Sequence, residues 1–233
     1  MQLWIGTSGF QYPEWKGKFY PATLPASRML PYYAERFAST ESNYSFRQIP
    51  SLKTLEKWAA ATPERFKFSF KAPQKITHFA KLRGCEDTVR FFHDTVATMG
   101  AKLGATLFQL PPTLKKDRDL LAAFLAGLPE GMSAAFEFRH TSWFDDEVFA
   151  CLREHRAALC IAESADLETP PIVTAEFGYL RLRREDYTSA QIAKWAKFVR
   201  ARSEWREAFV YFKHEEACVG PKFAEEFKER LGE

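Results

Sequence analysis

Short apolar, β-prone runs alternate with helix-spaced runs along the whole chain, and this regularity constrains the fold more than any other feature. Eight strand-like runs recur, at residues 3–9, 40–46, 66–72, 105–110, 133–139, 158–163, 179–183 and 208–212. A helical period follows seven of them. Leu30, Tyr33, Ala34 and Phe37 share one face of the first helix, and Ile192, Trp195, Ala196 and Val199 share one face of the seventh. Residues 164–178 are the exception, because Pro170-Pro171 and β-branched neighbours predict a short or missing sixth helix. Over 233 residues each unit takes about 29. Strand–helix alternation requires a parallel sheet, and eight units is the number that closes a barrel. The alternative is an open, doubly wound sheet with a phosphate-binding glycine loop after its first strand. Here Gly6-Thr7-Ser8-Gly9 is not GxGxxG, and no helix starts at it. No linker or composition shift divides the chain. The expectation is a single α/β domain over residues 1–233, a (β/α)8 TIM barrel.

Composition excludes several other classes. Hydrophobic residues at 46% and charged residues at 27% fit a globular fold and exclude disorder. The 33 Lys and Arg against 30 Asp and Glu leave only +3, too little for the total charge to argue for nucleic acid. No apolar run is long enough to cross a bilayer, so no membrane partner is expected. A strand-like run begins almost at Met1, which leaves no room for a secretory signal. The four cysteines, Cys85, Cys151, Cys160 and Cys218, lack CxxC spacing and predict free thiols in a reducing cytoplasm.

In such a barrel, chemistry sits at the C-terminal ends of the strands. Period-2 alternation sorts each strand into two faces. Phe136, Phe138, Leu180 and Leu182 belong outside, against helices. The opposite faces then carry Glu41, Asn43 and Ser45 on the second strand, and Glu137 with Arg139 on the fifth. Arg181 and Arg183 face inward on the seventh, and Tyr211 with Lys213 on the eighth. Lys71 and Gln109 end the third and fourth strands. Lys71, Arg139, Arg181, Arg183 and Lys213 thus oppose Glu41, Glu137 and, as a further candidate, Glu163. One reading is an internal ion-pair network, since buried charges must be paired. The other is an anion site, because guanidinium forks match carboxylate and phosphate and the surplus is cationic. Within it Glu137 or Glu41 would act as general acid or base, or Lys71 or Lys213 as a Schiff-base amine. Asn43, Gln109, Arg139, His140, Arg181 and Lys213 would bind the substrate.

His78, His140 and His214 follow strand ends and, with the glutamates, offer scattered metal-ligand types without compact spacing. The aromatic loop with Tyr12 and Trp15, and Trp143 after the fifth strand, are candidates to stack on a sugar or base, or else to pack on themselves. Gly220-Pro221 opens the last helix, where barrels often hold phosphate, although Glu215 and Glu216 stand nearby.

Several motifs recur together in one family. They are Gly6-Thr7-Ser8-Gly9 with Tyr12, Trp15 and Phe19-Tyr20-Pro21; Glu41-Ser42-Asn43; Pro50; Trp58; Lys71-Ala72-Pro73; and Thr77-His78. The set continues through Gln109-Leu110-Pro111-Pro112, Glu137-Phe138-Arg139-His140, Ser142-Trp143 and Tyr179-Leu180-Arg181. Over nearly its whole length the chain resembles the YecE-like (DUF72) family. The resemblance implies a TIM barrel and brings no activity, cofactor or catalytic residue with it. The chain departs from the commoner family pattern at Arg183-Arg184, where many members have His-Gly, and at Lys213-His214, where many have paired asparagines. Both changes add positive charge to the mouth. The expected function is an enzyme acting on a small anionic substrate without a cofactor. The alternatives are a non-catalytic nucleic-acid or nucleotide binder and a metal-dependent phosphoesterase. Oligomeric state is left open.

Overall fold

A computed structural model describes residues 1–164, 167–213 and 218–232. Its eight strands are β1 (Gln2–Ser8), β2 (Ser39–Ser42), β3 (Lys67–Lys71), β4 (Leu103–Gln109), β5 (Ala134–Glu137), β6 (Ala158–Glu163), β7 (Phe177–Leu182) and β8 (Glu207–Phe212). Each pairs in parallel with the next, and β8 pairs with β1, so the sheet is a closed barrel in chain order. The helices are α1 (Ala26–Ala34), α2 (Tyr44–Arg47), α3 (Leu52–Ala60), α4 (Glu86–Ala97), α5 (Arg118–Ala126), α6 (Asp146–Glu154), α7 (Ser189–Arg200) and α8 (Val219–Leu231). Among the described residues no helix lies between β6 and β7, as Pro170-Pro171 predicted.

Strand faces divide as period 2 requires. Phe108, Phe136, Phe138, Leu180 and Leu182 are buried outside, in the layer between sheet and helices. The interior holds small residues, Ala105, Ala135, Ala158, Cys160 and Ala162, which leave room for Tyr179, Phe209 and Tyr211. Filling a barrel this way alternates small and large side chains around each layer. Tyr211 ties the middle of the barrel together, its hydroxyl lying 2.6 Å from Ser39 Oγ and 2.8 Å from Ser69 Oγ.

β2 is shorter than its alternation suggests. It ends at Ser42, and Asn43 already has helical backbone angles ahead of α2. Asn43 and Ser45 therefore do not continue the strand face of Glu41. The cause is a contact with the neighbouring strand: the Ser45 hydroxyl donates to Lys71 O at 2.7 Å, which anchors the turn to the end of β3. Gly6 sits where α1 reaches the sheet. The Tyr33 hydroxyl accepts from Thr7 N at 2.7 Å and donates to Ser39 O at 3.0 Å, spanning the β1–β2 seam. A Cβ at Gly6 would lie 1.9 Å from Ser39 O and 2.6 Å from that hydroxyl, so only glycine fits. The four cysteines are free and buried. Among the described residues no helix is long and apolar enough to cross a membrane.

Candidate functional site at the barrel mouth

Arg181 is the centre of the mouth. It projects from β7 with 1% exposure, deeper than any other cation of the cluster. Its Nη1 reaches Glu137 Oε2 at 2.5 Å, and its Nη2 and Nε reach Glu41 Oε1 at 2.8 and 3.2 Å. One guanidinium thus ties β7 to β2 and β5 across the barrel. Both carboxylates are fully buried. Glu41 also accepts from the Ser8 hydroxyl, and from Tyr179 at 2.7 Å. Ser8 Oγ in turn accepts from Asn43 Nδ2 and Arg181 Nη2, each at 3.2 Å. Glu137 accepts from Gln109 Nε2 at 3.0 Å and pairs with Arg139 Nε at 2.5 Å and Arg183 Nη1 at 3.6 Å.

The acid–base role expected of the glutamates has to be set against this saturation of contacts. Burial alone would raise the Glu137 pKa, but Arg181, Arg139 and Arg183, with the Gln109 amide, outweigh it and hold the carboxyl well below the usual carboxylate range. A carboxylate enclosed by donors in this way holds the surrounding arginines in fixed orientations. Glu41, with four donors around it and no exposure, is enclosed in the same way.

Lys71 is different. Its amine lies 3.9 Å from the centre of the Phe46 ring, and among the described residues no carboxylate comes within ion-pairing distance of it. Burial is the main cause of a pKa pushed down to about 7, with Arg181 and Lys213 adding to it and Glu41 and Glu137 opposing. The same aromatic ring also meets His78, whose ring centre stands 5.0 Å from that of Phe46 in an edge-on arrangement. Burial, then Lys71 and Arg139, lower the His78 pKa as well.

Above these groups opens a cavity of about 570 Å³, lined by His78, Gln109, Arg139, His140, Ser164 and Leu167 among others. His140 Nδ1 accepts from Ser142 N at 3.1 Å, which leaves Nε2 to carry the proton of the neutral ring. Arg139 and Arg183 are about one-fifth exposed, at 23% and 20%.

Other expected site residues lie elsewhere. Trp15 and Trp143 are fully buried and offer no stacking face. Trp143 lies parallel to Phe138, centres 4.6 Å apart, and donates to Leu114 O at 2.7 Å. Tyr12 is half-buried against Trp15 and donates to Ser8 O at 2.7 Å. Glu163 turns outward and accepts from Tyr187 and Trp195, each at 2.7 Å, so it is not a carboxylate of the mouth. Lys213 follows β8 and contributes to the field on Lys71. His214, Glu215 and Glu216 lie outside the described residues. Among those described, no group of three or more His, Cys, Asp or Glu is placed to hold a metal ion. Sequence reasoning missed Ser8, Tyr179 and Phe46 as parts of the cluster. Alternation gave the signal for the first two, which share the inward faces of Gly6 and Arg181. Phe46 had none, because only the turn after β2 brings it to Lys71.

Comparison with known proteins agrees with this architecture. The family model described as "Protein of unknown function DUF72" matches residues 4–233. UPF0759 protein YecE of Escherichia coli K12 is 29% identical over 143 residues, 61% of this chain and 50% of YecE. UPF0759 protein YunF of Bacillus subtilis is 29% identical over 150 residues, 61% of this chain and 52% of YunF. Each alignment therefore spans about half of the relative's length. Among solved structures, a DUF72 family protein from Thermotoga maritima superposes with a TM-score of 0.89 at 25% identity, covering all of both chains. One from Enterococcus faecalis gives a TM-score of 0.82 at 18% identity over all of this chain and 96% of the other, a likeness of fold alone. With the motifs, the closed barrel and a family match along almost the entire chain in agreement, this protein is a member of the DUF72 family.

Proposed function

We propose that the barrel mouth binds a small anionic substrate, carrying a carboxylate or phosphate, and that the protein is an enzyme acting on it. The observation that carries this reading is the charge balance around the cavity. Among the described residues Lys71, Arg139, Arg181, Arg183 and Lys213 gather about only two carboxylates, Glu41 and Glu137. Arg181 is consumed in holding both glutamates. Arg139 and Arg183 share Glu137, already neutralised by Arg181, and each keeps about one-fifth of its side chain exposed. A ligand anion would suit a site where, among the described residues, cations outnumber carboxylates, through the fork geometry that matches carboxylate and phosphate. His140 Nε2 and the Gln109 amide would add further hydrogen-bond donors. The buried glutamates fix the arginines in place before a ligand arrives, so little side-chain ordering remains to oppose binding. The charge of Lys71 can change near neutral pH, and it is the reactive group in this reading.

The test is a thermal-shift titration with phosphate, pyruvate and a sugar phosphate, on the wild type and on Arg139→Ala. A ligand at about 100 times its Kd adds about 2.7 kcal/mol, which raises Tm by roughly 5–10 °C for a chain of this size. The shift should disappear in Arg139→Ala while its near-UV circular dichroism stays native. An equal shift in the variant would remove Arg139 from the site.

A further inference from the structure

Lys71 is set apart from every other lysine of the mouth by what surrounds it. A surface lysine keeps a hydrated ammonium, and a structural buried lysine is paired with a carboxylate. Lys71 has neither arrangement. Its amine rests on the Phe46 ring, half-buried at the end of β3, with the Arg181 and Lys213 charges nearby and both glutamates already engaged by arginine. An amine so placed is held as a nucleophile: burial without a carboxylate partner and the neighbouring cations disfavour the ammonium, outweighing the attraction of the Phe46 ring for a cation, and leave the nitrogen lone pair available. The adjoining groups fit one chemistry in particular. Arg139 and Arg183 are anion holders, and His78, on the same Phe46 ring, accepts or shares a hydrogen bond with Thr77 Oγ1 at 2.9 Å through Nδ1. His78 also lines the cavity, with Nε2 as its second exchangeable site.

We propose that Lys71 forms a Schiff base with a carbonyl substrate that also carries an anionic group, such as a 2-oxo acid or a keto or aldehydo phosphate. The inference rests on the anion-binding reading above and names its substrate class. The neutral Nζ adds to the carbonyl carbon, a C–N bond forms, and the carbonyl oxygen takes up a proton to give a carbinolamine. The hydroxyl then leaves as water after a second protonation, while the nitrogen has released one of its own protons. The product is a protonated imine plus one water, with one proton consumed overall. His78 is the positioned group that can carry protons to and from the departing oxygen. The substrate's anionic group remains on Arg139 and Arg183. Cationic surroundings that disfavour the free ammonium also disfavour the iminium, and the bound anion offsets that. Hence a neutral carbonyl compound should react poorly.

Borohydride trapping tests this on the intact protein. Pyruvate and dihydroxyacetone phosphate serve as probes, with acetone as the carbonyl lacking an anion, and peptide mapping locates the reduced adduct. Expected is an adduct on Lys71 with at least one anionic probe, at about tenfold or more over any other lysine at pH 7.5, since most lysines are almost wholly protonated there. Lys71→Arg should show none, while its near-UV circular dichroism stays native. Equal labelling of Lys71 by acetone would overturn the requirement for an anion. No adduct above surface-lysine level, in a protein whose Tm still rises with anions, would overturn the Schiff base and leave the anion site standing. Neither adduct nor thermal shift would overturn both.

Discussion

Arg181 and its two carboxylates behave as a unit, and mutations there should read as stability before they read as function. Glu137→Gln keeps the shape of the side chain but leaves Arg181, Arg139 and Arg183 facing a neutral amide. Breaking a buried pair on one side costs roughly 3–5 kcal/mol, measurable as a fall in the urea midpoint at unchanged slope. The sign with pH is fixed by the lowered Glu137 pKa. Its contribution is fully present above the unfolded carboxyl pKa and is lost as pH falls through the folded one. Lys71 has the opposite consequence. Unfolded, its amine titrates at about 10.4, and folded it titrates at about 7. Below pH 7 the folded state bears the full burden of a buried ammonium. Between the two values only the unfolded chain stays protonated, so stability rises with pH across that window. Lys71→Met should therefore stabilise the protein at pH 7, by up to about 4 kcal/mol, with the gain shrinking toward pH 10. Urea unfolding at pH 6, 8 and 10 checks it, and a pH-independent difference would contradict the lowered pKa. Alternation along β5 and β7 was enough to place Glu137, Arg139 and Arg181 on inward faces. It carries no information on depth, which is why a saturated, immobile carboxylate and an accessible catalytic one look alike in sequence.

At the scale of elements, β1 and α1 are locked together at one glycine. Gly6→Ala would push a methyl into Ser39 O and the Tyr33 hydroxyl, so β1 must part from β2 or α1 must move. Loss of soluble expression, or destabilisation of more than about 3 kcal/mol by overpacking and broken pairing, is expected. α7 shows a gentler dependence. Thr188 and Gln191 form a reciprocal capping box, with Thr188 N donating to Gln191 Oε1 at 2.8 Å. Thr188→Ala should cost about 1 kcal/mol with no change in ligand response. Helix faces were legible because burial on one side imposes a 3.6-residue period, as at Ile192, Trp195, Ala196 and Val199. β2 was misjudged because Glu41, Asn43 and Ser45 keep a polar alternation after the chain has turned. The turn is set by Ser45 reaching Lys71 O, a contact between residues 26 apart in the chain. The burial of Trp15 and Trp143 was hidden for a related reason: an aromatic in a loop carries no period to say which way it faces.

The whole molecule depends on closure. β8 pairs with both β7 and β1, so a chain ending at Arg206 would leave two long parallel edges unpaired. Such edges recruit other chains, and that truncated form should be recovered only as aggregate, whereas the full chain elutes as a defined species in size-exclusion chromatography. The number and order of the strands, and the missing helix, were all readable because regular repetition leaves few topologies to choose from. Among the described residues of this connection, 164 and 167–176, duties divide cleanly. Thr174 is buried and bridges Leu159 N and Ala157 O at 2.7 and 2.8 Å, while Ser164 and Leu167 line the cavity. Elsewhere around the mouth, a change in a wall residue must be reconciled with a helix docked behind it. On this side it need not be, so the stretch is where relatives of this barrel can diverge in what they admit while leaving the scaffold untouched.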